Sequence, residues 1–113
     1  MIGVSVAATA VDGHVQLVVE GEVDLSNAAG VEQAVLAAID NEATAVTIDL
    51  TGVDYLDSAG LRIVYTLATR LELLQIALEV VAPVGSVARH VIELSGLASV
   101  ANLAPPAPPH FGA

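Results

Sequence analysis

The sequence has no cysteine, no lysine and no tryptophan, and only three aromatic residues in 113. Without cysteine there is no thiol nucleophile, no disulfide and no cysteine metal site. Without lysine there is neither a phosphate-loop lysine nor a Schiff base. The only cations are Arg62, Arg70 and Arg89, set against thirteen acids, for a formal net charge of −10. Nucleic-acid binding needs clustered cations to displace phosphate counterions, so that class of function is excluded. An anionic membrane surface is disfavoured on the same ground, whereas a basic or mixed-charge protein partner is favoured. A spanning helix is also missing: the one long uncharged stretch, Leu94 to Ala113, is broken by Pro105, Pro106, Pro108 and Pro109. Residues 1–11 carry no positive segment, so no signal peptide is expected and a cytoplasmic protein is.

What is present is core. Apolar residues make up 55% of the chain, enough for one domain of this length. Three runs alternate with strand period: His14 to Glu20, Ala45 to Leu50 and Ile76 to Val81. A sheet covered on both faces would read as unbroken apolar runs, so the alternation places helices on one side. A weaker run, Val4 to Ala8, is expected to pair with the next through a turn at Asp12-Gly13. Helical patterns lie between the strands. The first opens near Ser26, an N-cap residue type, with Ala28, Val31, Val35 and Ile39 on one stripe. The second opens at Ser58 and turns Leu61, Val64, Tyr65 and Ala68 inward. Ile63 and Leu67 fall off that stripe, either as ordinary core or as an apolar face for a partner. The third follows Pro83-Val84-Gly85-Ser86 and stops at Gly96. The expected order is β-β-α-β-α-β-α: an α/β chain with α+β character, a small mixed sheet of four to five strands and helices mainly on one face. Residues 1–103 form the domain and 104–113 a proline-rich flexible tail.

Generic core patterning stops between Asp49 and Leu61. There a strand runs out, Gly52 permits a reversal, and Asp57 and Ser58 arrive at a helix N-terminus. Free backbone N–H groups at such an end donate to a capping oxygen or an added phosphate. On local chemistry alone Asp57-Ser58 reads best as a helix cap. Gly60, costly inside a helix by roughly 1 kcal/mol against alanine, suggests a close approach and leaves the first turn open to a partner.

The segment Asp49-Leu50-Thr51-Gly52-Val53-Asp54-Tyr55-Leu56-Asp57-Ser58-Ala59-Gly60-Leu61 resembles the signature of the STAS domain of bacterial anti-sigma factor antagonists. Glu20-Gly21-Glu22-Val23-Asp24 is similar to that family's loop after strand two, and Pro83 to Leu97 to its last helix and closing turn. Three motifs in order, spanning roughly Val4 to Val100, make a specific match. Two departures stand out: Leu73-Leu74-Gln75 where the family often turns on glycine, and a tail with no counterpart.

The resemblance implies a partner-switching protein, not an enzyme. The unphosphorylated form would bind a cognate anti-sigma factor that is also a serine kinase. Phosphorylation of Ser58 would release it, and a phosphatase would reset the cycle. Asp57 would orient Ser58 or meet the kinase's nucleotide–metal site, and Asp24 would be a second partner contact. Glu22, Thr51, Asp54, Gly60 and Arg62 complete the expected binding set. The alternative is a STAS subunit of another assembly, such as a phospholipid-transport complex or a stress-sensing scaffold. No cofactor is expected, and no metal: Glu20, Glu22 and Asp24 could hold a divalent cation, but alternate positions at a strand end more often face solvent. His14, His90 and His110 are scattered, with no serine in a nucleophile elbow.

Overall fold

A computed structural model describes residues 3–96. The proline-rich tail at 104–113, the end of the closing turn at Leu97 and the domain boundary at 103 lie outside the described residues. The elements are β1 (Val4–Val11), β2 (His14–Val23), α1 (Ala28–Ala37), β3 (Ala45–Asp49), β4 (Val53–Leu56), α2 (Ser58–Leu73), β5 (Ala77–Val81) and α3 (Val87–Ser95).

The first two strands form an antiparallel hairpin, with Val11 opposite His14. Its two-residue turn has Asp12 at φ 50° and Gly13 at φ 83°. Positive φ at both central positions gives the turn whose twist matches paired strands, and the Asp-Gly dipeptide tolerates it. The other strands run parallel to β2, as strand–helix–strand connections require. The sheet order is β1-β2-β3-β5, and β4 pairs with β2 beyond the end of β3. One edge of β2 therefore carries two partners in succession: β3 alongside His14 to Val18, then β4 alongside Gly21 to Val23. A bulge between Gly21 and Glu22 interrupts the second stretch, leaving Asp54 without an opposite residue.

β4 is a correction to the expected order, because residues 53–56 read as loop in the sequence. Its pattern is buried, exposed, exposed, buried, so it lacks the two-residue period that marks a strand. Two smaller corrections concern helices. Asn27, not Ser26, occupies the N-cap of α1. Tyr65 is 50% exposed, while Ile63 and Leu67 are buried, so α2 turns its apolar stripe by about one residue from the expected one.

The core lies between the helices and one face of the sheet. Val15, Leu17 and Val19 from β2 meet Val46 and Ile48 from β3, Val80 from β5, and Val35, Val64, Leu67, Leu71 and Ile92 from the helices. At about 25 cal/mol per Å² of apolar surface, each fully buried Leu, Ile or Val stabilises the fold by roughly 1.5–3 kcal/mol. On the other face Thr9, Gln16, Thr47 and Glu79 stand opposite one another across four strands, none of them buried.

The missing glycine after α2 has a structural answer. Gln75 takes the left-handed conformation, φ 60°. The Gln75 N–H donates to Glu72 O (3.1 Å) and the Ile76 N–H to Leu71 O (2.8 Å), closing a Schellman end around a non-glycine residue. α3 starts with Ser86 Oγ accepting from the Arg89 N–H and ends at Gly96 with φ 78°, as its sequence signals require.

Candidate functional site

β2 and β4 are parallel neighbours, so their carboxyl ends, Val23 and Leu56, lie side by side. In open sheets of this kind, crevices outside those ends are where ligands and partners are met. Each end is followed by an acid and a helix: Asp24 leads towards α1 and Asp57 into α2. The Asp57 N–H donates to Val23 O (3.4 Å), stitching the two turns together.

Asp57 is the N-cap of α2. Its Oδ1 accepts from the Ala59 N–H at 2.9 Å and the Gly60 N–H at 3.2 Å, satisfying two of the donors a helix start leaves over. Ser58 is the first residue of the helix and is exposed, and its hydroxyl has no partner among the described residues. The cap and the hydroxyl, inseparable in the sequence, are thus separate groups. The expectation that Asp57 orients Ser58 is corrected in one respect: the capping carboxylate oxygen bonds backbone N–H groups and not the serine.

The turn after β2 is organised differently. Asp24 Oδ1 accepts from the Ser26 hydroxyl (2.6 Å) and from the Ser26 N–H (2.9 Å). The Ser26 hydroxyl bond is the largest cause holding the Asp24 carboxyl below its ordinary pKa; burial opposes it, and the backbone N–H bonds of Ser26 and Asn27 add to the lowering. Asn27 then makes no side-chain cap bond. Its Oδ1 accepts from the Asp24 N–H (3.0 Å) and its Nδ2 donates to Glu22 O (2.8 Å). Asn27 therefore fixes the turn that presents Asp24. Asn27 is not among the residues expected at the site, although asparagine just before a helix is as good an end signal as Ser26.

The expected residues divide into three groups. Glu22, Asp24, Asp54, Asp57 and Ser58 come together at the ends of β2 and β4, with Arg62 one turn along α2. Thr51 does not join them. It sits on the turn before β4, its N–H donating to Asp49 Oδ1 (2.9 Å), a full strand of roughly 10 Å from Ser58. Gly60 does not face a partner. It is buried, and a Cβ placed on it would collide with the Leu56 side chain and come within 3.1 Å of Val23 Cγ1. The close approach its glycine signalled is internal, between α2 and the strand ends. Beside the acids Leu25 is 82% exposed, an apolar side chain the sequence did not single out.

No three His, Asp or Glu side chains are grouped to hold a metal ion among the described residues. His14 is at the far end of β2 from this site, its Nε2 2.8 Å from Thr47 Oγ1. No helix among the described residues is long and apolar enough to cross a membrane.

Comparison with known proteins agrees with this architecture. The STAS domain family model matches residues 5–106. The anti-sigma-F factor antagonist RsfB of Mycobacterium tuberculosis is 38% identical over 95 residues, covering 82% of this chain and 76% of RsfB. The crystal structure of an anti-sigma factor antagonist from Mycobacterium paratuberculosis superposes with a TM-score of 0.77 at 32% identity, covering 93% of this chain and 88% of that one. The unphosphorylated form of the anti-sigma factor antagonist SpoIIAA shares the fold, with a TM-score of 0.71 at 20% identity over 89% of each chain. With a family model spanning nearly the whole chain and the Asp57-Ser58 turn at the meeting point of two parallel strands, this chain belongs to the STAS domain family.

Proposed function

We propose that this chain is an anti-sigma factor antagonist, a regulatory binding protein and not an enzyme, controlled by phosphorylation of Ser58. The observation that carries the reading is the division of labour at the start of α2. Asp57 takes the backbone cap, so Ser58 is exposed and its hydroxyl unbonded among the described residues at the capped helix end. Relatives named as anti-sigma factor antagonists support the class of partner.

In the unmodified state, the surface formed by Glu22, Asp24, Asp57, Ser58 and Arg62 binds a cognate anti-sigma factor, and the sigma factor is freed. That anti-sigma factor is also a serine kinase. Ser58 Oγ attacks the terminal phosphorus of ATP, the bond to the bridging oxygen of ADP breaks, and the hydroxyl proton leaves to the kinase's base. The product is phosphoserine and ADP. A phosphatase restores the serine with water. The whole cycle takes place in the cytoplasm.

Electrostatics sets the size of the switch. A phosphate adds about 1.5–2 negative charges beside Asp57 and Asp54. Unit charges about 4 Å apart at an effective dielectric near 20 interact by roughly 4 kcal/mol, close to a thousandfold in affinity. A partner surface complementary to a neutral hydroxyl would be expelled without any change of fold. The test is to incubate the chain with a cognate anti-sigma factor and ATP and measure intact and peptide mass. One added phosphate on Ser58 is expected; modification elsewhere, or none, overturns the reading.

A further inference from the structure

We propose that Arg62 receives the phosphate on Ser58, as an intrahelical counter-ion built into α2. This rests on the reading of Ser58 as the modified residue and adds how the modified form is held. Ser58 and Arg62 stand four residues apart in α2, and both are exposed. Residues at that spacing share a helix face, with Cβ atoms about 5–6 Å apart. Helical side chains lean towards the N-terminus, which puts the turn that bears Ser58 within reach of the Arg62 guanidinium. An anion N-terminal to a cation is also the favourable order for such a pair.

Two further observations leave Arg62 as the group for the task. Two of the backbone donors that would otherwise take a phosphate, the N–H groups of Ala59 and Gly60, are occupied by Asp57. The chain has only two other cations: Arg89 pairs with Glu93 at 3.5 Å, and Arg70 lies in the last turn of α2. Arg62 makes no ion pair or side-chain hydrogen bond among the described residues.

The pairing matters because of the acids around it. Glu22 and Asp24 at the end of β2, Asp54 on β4 and Asp57 beside the serine all favour a protonated phosphate, while α1 brings no acid in its first turn. Unopposed, they would raise the second ionisation of phosphoserine from about 6 towards neutrality. The Arg62 guanidinium, whose planar fork suits phosphate, opposes them and keeps the phosphate a dianion at neutral pH.

The experiment uses the full chain with phosphoserine genetically encoded at position 58, titrated by phosphorus NMR in the parent, in Arg62→Gln and in Arg62→Lys. Arg62→Gln is expected to raise the second ionisation by about 0.5 unit, a threefold change in proton affinity. Arg62→Lys should recover most of that shift, since it keeps the charge. Superimposable titrations of the parent and Arg62→Gln would overturn the proposal. Encoding the phosphoserine needs no kinase, so this result concerns Arg62 alone, and the kinase mass experiment separately decides whether Ser58 is the natural acceptor.

Discussion

The starts of α1 and α2 are built from nearly the same residues and put to different use. Both follow the carboxyl ends of neighbouring parallel strands, both have an aspartate and a serine close by, and both carry glycine as the third residue of the helix. At α1 the serine is consumed: Ser26 donates to Asp24, and Asn27 turns back to hold β2 instead of capping. At α2 the aspartate does the capping and the serine is left over. The glycines differ in the same way. Gly30 has open space where a Cβ would be, whereas Gly60 is pressed against Leu56 and Val23. A free hydroxyl is therefore a matter of which neighbour satisfies the backbone, not of composition.

The largest effect expected from breaking this contrast is at the glycines. Gly60→Val should destabilise the fold by about 2–3 kcal/mol through overpacking. Gly30→Ala, with no steric conflict and better helix propensity, should stabilise it by roughly 0.5–1 kcal/mol. Urea denaturation of the two variants would show whether the sign reverses between the helices. If both were stabilising, the tight packing of α2 on the strand ends would be wrong.

Next in size is the cap. Asp57→Ala should cost about 1 kcal/mol in the same assay, the usual loss when an N-cap carboxylate is removed. A negligible cost would return Asp57 to the role of a free partner contact.

The smallest effect is electrostatic. The folded-state pKa of Asp24 is depressed, first of all by the Ser26 hydroxyl. Such a group contributes stability above its ordinary pKa near 3.9 and loses that contribution as pH falls through the lower folded value. Ser26→Ala should therefore move the Asp24 titration upward and weaken the acid sensitivity it causes. Carboxyl NMR from about pH 2 to 6 reads the shift directly.

The hairpin, the parallel crossovers and the three helices were legible because β2, β3 and β5 alternate with a period of two and Asp12-Gly13, Ser86 and Gly96 carry plain end signals. β4 was not, because both of its outer residues are buried and both inner ones exposed, a pattern without strand period. The inward face of α2 was misplaced for a related reason: Tyr65 counts as apolar in any periodicity, yet its ring lies half in solvent. At the site, the acids and Ser58 could be assembled from the motif, but the motif cannot say which group caps and which is free. Thr51 and Gly60 belong to the same run of sequence, and only the course of the strand sends one away and the other inward.

The most direct measurement is the affinity of the anti-sigma factor for this chain with Ser58 unmodified and with Ser58 phosphorylated, by calorimetry at fixed ionic strength. A fall on the order of a thousandfold on phosphorylation is expected from the charge added beside Asp57 and Asp54. Equal affinity for the two forms would contradict the account.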